Sequence, residues 1–93
     1  MPKNNDSQIY IGKKRAMDYV MAAMVVLGDN KPIKLLARGR SISRAVDVGE
    51  ILLRTFSKGS SYGEIKLATE ELTNKDGTKS NVSAIEIEIK PPK

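Results

Sequence analysis

Ala37-Arg38-Gly39-Arg40-Ser41-Ile42-Ser43-Arg44-Ala45-Val46-Asp47 reads as the end of a strand, a turn and the start of a helix. Ile33 to Ala37 is a short apolar run that Gly39 interrupts. Behind it, the spacing of Ile42, Val46, Leu52 or Leu53 and Phe56 predicts a helix from Ser41 or Ser43 to Phe56. Ser41 and Ser43 are candidate hydroxyl caps for the first free amides of that helix. Three arginines at such a junction set guanidinium groups beside amides that point out of a helix start, which suits an anion.

The same grammar occurs upstream. Ile9-Tyr10-Ile11 is a short strand stopped by Gly12, and Lys13-Lys14-Arg15 is a basic cluster. Met17, Val20, Met21, Met24 and Leu27 then recur at three- and four-residue steps. That spacing predicts a helix over 15–27, closed by Gly28 and Asp29-Asn30-Lys31-Pro32, with Met17, Met21 and Met24 in the core. Two phosphate-binding corners suit a polyanion better than one small phosphate.

The last third changes period. Ile65 and Leu67 alternate with polar neighbours, as do Ile85, Ile87 and Ile89, and Asp76-Gly77 between them is a hairpin signal. The expected fold is therefore strand, helix, strand, helix and a long antiparallel hairpin, an α/β chain of the α+β two-layer sandwich type. Leu35 and Leu36 are expected to be buried on the two faces of a central strand. Hairpin strands of about 8 to 10 residues extend roughly 25 to 30 Å, beyond the reach of the helices. The hairpin tip carries Lys75 and Lys79 beside Asn74, Gly77 and Ser80, a projecting basic arm suited to a groove or a backbone.

Composition narrows the chemistry. The chain has 93 residues without cysteine or histidine, which removes disulfides, thiol catalysis and the common zinc sites. Met1 to Gln8 is polar and aperiodic, so it is read as a flexible tail ahead of one domain over residues 9–90. With no apolar run near the roughly 20 residues of a spanning helix, a soluble cytoplasmic protein without membrane attachment is expected. The net charge of +5 is uneven, residues 1–58 carrying +6 and residues 59–93 carrying −1. Such a field favours encounter with nucleic acid. Only Tyr10, Tyr19, Phe56 and Tyr62 are aromatic, too few for a reader of single strands by base stacking. Catalysis would need an acidic metal cluster, and Asp18, Asp47 and Glu50 lack a convergent spacing, so no enzyme, cofactor or metal is expected.

In order and spacing, Ile11-Gly12-Lys13-Lys14, Tyr19-Val20, Ala22-Ala23, Ala37 to Asp47, Asp76-Gly77 and Val82-Ser83-Ala84-Ile85-Glu86-Ile87 resemble the archaeal Alba chromatin proteins, over nearly all of Ile9 to Lys90. The resemblance implies a β-α-β-α-β-β fold, similar to the C-terminal domain of a bacterial translation initiation factor, and a homodimer with paired hairpins flanking a basic surface. It implies chromosome-associated binding of double-stranded DNA without strong sequence preference, DNA compaction, and binding of RNA. An alternative within this class is an RNA chaperone or ribonucleoprotein component. The family pattern assigns Lys13, Lys14, Arg38, Arg40 and Arg44 to nucleic-acid binding, and Lys75 and Lys79 join them from the arm. Lys13 matches a lysine acetylated in some members, implying acetylating and deacetylating enzymes as partners. Phe56 matches an aromatic used where dimers meet on DNA. Arg15 departs from a frequent proline, and Ser57-Lys58-Gly59 from a more apolar turn.

Overall fold

The computed structural model describes residues 7–92. Most of the segment read as a tail lies outside them, and Gln8, its last residue, opens the first strand. The elements are β1 (Gln8–Tyr10), α1 (Ala16–Gly28), β2 (Ile33–Arg38), α2 (Ser41–Ile51) with a π-helical turn (Leu52–Phe56), β3 (Ser61–Thr73) and β4 (Lys79–Lys90). This is the expected β-α-β-α-β-β order. The sheet runs β1-β2-β4-β3, with β1 parallel to β2 and the other pairs antiparallel.

Alternation decides which sheet face is dry. Ile33, Leu35 and Ala37 of β2 are buried, and register sets Ile89, Ile87 and Ile85 of β4 opposite them on the same face. Val20, Ala23, Leu27, Ala45, Val48 and Leu52 of the helical layer close this core. The opposite face is open and charged, crossed by ion pairs from Lys34 and Lys66 to Glu86. Leu36 therefore does not reach a second core: β2 is interior in the sheet, but helices cover only one of its faces.

The methionine reading of α1 is corrected in the same way. The helix rests on Tyr19, Val20, Ala23 and Leu27, and small Ala23 lets its backbone approach the sheet. Met17 and Met21 fall on the neighbouring stripe, where Met21 is 57% exposed, and only Met24 packs against the core. In α2 the regular helix stops at Ile51, and the Ser57 amide donates to the Leu52 carbonyl oxygen across a wide turn. The strands of the hairpin have 13 and 12 residues, longer than expected, and residues 64–81 are all exposed. The molecule measures 47 × 29 × 21 Å, its long dimension suiting an extended arm.

Candidate nucleic-acid interface

Because β1 and β2 are parallel, their C-terminal ends emerge side by side, Tyr10 opposite Leu36. The chain leaves β1 through Gly12-Lys13-Lys14-Arg15 and leaves β2 through Gly39-Arg40, so both basic corners stand at one end of the sheet. Each corner leads directly into a helix, so the positive ends of α1 and α2 face the same way. The arm springs from this end too, since β4 pairs Ala84 with Arg38 and the Gly39 amide donates to the Ser83 carbonyl at 2.8 Å. A cleft of about 450 Å3 opens here among residues that include Tyr10, Arg38, Ser41 and Glu70.

Gly39 is needed for this corner. Its φ of 55° is left-handed, so a side chain there is strained, and a Cβ would also lie 3.2 Å from a Val82 methyl, which would have to give way. The serine cap expected at the start of α2 is absent, and α1 has no side-chain cap either. Arg15 and Arg40 hold the N-cap positions and neither makes a side-chain cap bond. Arg40 is already helical at φ −67° and ψ −17°, which draws Ser41 into the helix and removes it from the cap position.

The basic side chains are in unequal states. Lys13, Lys14 and Arg40 are exposed. Arg38 pairs with Glu70 on the arm at 3.2 Å, both side chains half-exposed, and not with Asp47, Glu50 or Glu64. Arg44 is partly buried, and its Nη1 donates to the Gly12 carbonyl oxygen at 2.9 Å, tying one corner to the other. Reasoning from sequence missed Tyr19. Its phenolic oxygen accepts the amides of Gly12 at 2.8 Å and Lys14 at 3.1 Å while its ring stays in the core. The available signal was position: a first-turn helix side chain leans back toward the N-terminus, and tyrosine joins an apolar ring to a polar tip.

The arm projects as expected, but its charge is mixed. Between Ala68 and Ala84 it carries Glu70, Glu71 and Asp76 against Lys75 and Lys79, and Lys79 pairs with Glu71 at 3.5 Å. Its tip is ordered by a polar network. Asn74 Nδ2 donates to the Thr78 and Ser80 hydroxyls, and the Thr78 amide and hydroxyl donate to Asp76 Oδ1. These bonds from Thr78, its side chain first, hold the Asp76 carboxyl below the usual range. Phe56 sits elsewhere, 42% exposed at the C-terminal ends of both helices, beside a cleft with Met24, Leu27 and Pro92. Among the described residues no three acidic side chains gather to hold a metal ion, and no helix is long and apolar enough to cross a membrane.

The Alba family model matches residues 7–69. The chain belongs to the Alba family. Among Alba relatives, the "DNA/RNA-binding protein Alba" of Nitrosopumilus maritimus is 48% identical over 83 residues, 88% of this chain and 87% of its own length. That of Methanocella arvoryzae is 42% identical over 94 residues, covering 100% and 96%. The solved Alba of Thermoplasma volcanium superposes with a TM-score of 0.84 at 44% identity, covering 89% of this chain and 98% of that one. An Alba protein of Trypanosoma brucei, 18% identical with a TM-score of 0.75 over 97% of this chain and 73% of its own, shares the fold.

Proposed function

We propose that this Alba protein is a non-enzymatic nucleic-acid-binding protein that engages double-stranded DNA through its backbone, without strong sequence preference, and compacts the chromosome. Lys13, Lys14, Arg38 and Arg40 neutralise phosphates, and Lys75 extends the contact along the arm. One observation carries this reading: Arg44 bonds Gly12, so two basic strand-to-helix corners form a single surface. Its relatives carry "DNA/RNA-binding" in their names, and RNA is a second ligand of the same surface.

The working unit is a homodimer. Ile65 and Leu67 lie on the helix-bearing face of the sheet but at edge strand β3, outside the shelter of α1 and α2, and Leu67 is 77% exposed. With exposed Val46 on α2 they offer an apolar surface for a second copy. Phe56, remote from the basic end, meets a neighbouring dimer on the duplex, and acetylation of Lys13 removes one cation and weakens binding. Within this proposal the protein is chromosome-associated in the cytoplasm.

Each neutralised phosphate releases counterions, so affinity falls with salt at a log–log slope of roughly −0.9 per contact on duplex DNA. Binding of duplex DNA, single-stranded DNA and structured RNA, titrated with salt, tests the reading. Replacing Lys13 and Lys14 with alanine makes the duplex slope shallower by roughly 2 per subunit and weakens all sequences alike. An unchanged slope removes these lysines from the interface. A large preference for structured RNA over duplex makes the protein an RNA chaperone or ribonucleoprotein component instead.

A further inference from the structure

The loop carrying Lys13 and Lys14 is held by two side chains of the helical layer, Tyr19 of α1 and Arg44 of α2. Below it, the Tyr19 phenolic oxygen takes the amides of Gly12 and Lys14, the residues flanking Lys13. From the second corner, Arg44 donates to the Gly12 carbonyl. The Gly12 peptide groups are thus gripped at both amide and carbonyl, by residues 7 and 32 positions away. Tyr19 is 8% exposed, so its ring is fixed by the core before its hydroxyl meets the loop. A loop without regular secondary structure would otherwise lose conformational freedom on binding phosphate.

We infer that Tyr19 and Arg44 form a clamp that pre-organises the Lys13–Lys14 loop, making them positioning residues for nucleic-acid affinity and Arg44 a member of the clamp before any phosphate arrives. This rests on the proposed reading that Lys13 and Lys14 contact nucleic acid. A single phenol oxygen taking the amides on either side of Lys13 leaves the exposed lysine side chains as the loop's outward groups. Arg44 carries the positive charge expected of a phosphate contact, but its geometry is that of a strut between the two corners.

The clamp and a direct contact differ in their coupling to the lysines. Wild type, Tyr19→Phe, Lys13→Ala/Lys14→Ala and the triple variant are compared on one duplex across a salt series, with Arg44→Ala and Arg44→Gln alongside. Tyr19→Phe weakens binding by about fivefold to tenfold, the scale of one net hydrogen bond, while the salt slope stays at the wild-type value. In the Lys13→Ala/Lys14→Ala background the same change has no effect. Arg44→Gln, which keeps an N–H donor for Gly12 but no charge, recovers most of the affinity lost in Arg44→Ala. Amide spectra of Tyr19→Phe move at Gly12 and Lys14 and stay in place elsewhere.

An equal loss from Tyr19→Phe with and without the lysines overturns the clamp. So does an Arg44→Gln variant as weak as Arg44→Ala with a slope shallower by roughly 1 per subunit, the mark of a lost phosphate contact. If Tyr19→Phe does not fold, the two Arg44 variants decide alone. If Lys13→Ala/Lys14→Ala binds like wild type, the proposed function fails and the clamp with it, a pattern distinct from failure of the clamp alone.

Discussion

Arg38 has two available partners, a phosphate and the Glu70 carboxylate it already holds at 3.2 Å. Half-exposed pairs of this kind are worth about 0 to 1 kcal/mol, so a polyanion can displace Glu70, but at a cost. Glu70→Gln removes the competitor and one negative charge at the arm base, and duplex affinity rises by about twofold to fivefold at low salt. Anisotropy titration checks this, and equal or weaker binding means that Glu70 does not compete. The pairing also marks where single residues stop being readable from sequence. Lys13, Lys14 and the three arginines stand out by type and spacing, but Glu70 lies 32 positions from Arg38 and reaches it only because β4 brings β3 to that corner. The bonds that Arg44 and Tyr19 make were hidden for the same reason. Their partners are backbone atoms of another element, for which side-chain pattern carries no mark.

At the scale of elements, periodicity was informative wherever burial decided the structure. Ile85, Ile87 and Ile89 alternate because one sheet face is dry, and Asp76-Gly77 marks the turn because Gly77 adopts a φ of 88°. Met17 and Met21 of α1 misled because their spacing also fits a helix, while the buried stripe is led by Tyr19, Val20 and Ala23. The tip of the arm was read as basic from Lys75 and Lys79, although its order depends on an acid. Asp76 accepts two bonds from Thr78, and its carboxyl is held below the usual range chiefly by the Thr78 hydroxyl. A lowered carboxyl pKa means that the ordering is fully present above the ordinary aspartate value of about 3.9 and is lost as pH falls through the lower folded value. The Thr78 amide resonance, followed in acid, therefore titrates with a midpoint below that of an unstructured aspartate. A midpoint at or above it shows that the tip is not organised by Asp76.

At the scale of the whole molecule, two of the apolar exposures lie far enough apart to predict two separable assembly steps. Ile65 and Leu67 lie on the outer strand, on the face that bears the helices, whereas Phe56 stands where α1 and α2 end. A glutamate at Leu67 sets a charge in the proposed dimer face, where it must be desolvated without a partner. Sedimentation of Leu67→Glu then gives the mass of a single 10.2 kDa chain. Its duplex salt slope falls to about half the wild-type value, because half of the phosphate contacts no longer belong to one complex. Phe56→Ala behaves differently: the solution mass stays that of a dimer, isolated binding is unchanged, and the cooperativity of coating a long duplex declines. Both variants retain the basic end, so neither result comes from a loss of cations. A monomeric Phe56→Ala moves Phe56 into the dimer face, and a dimeric Leu67→Glu puts that face elsewhere than the outer edge of the sheet. The ratio of salt slopes is the stricter test, since a destabilised chain also loses affinity but has no reason to lose half of its counterion release.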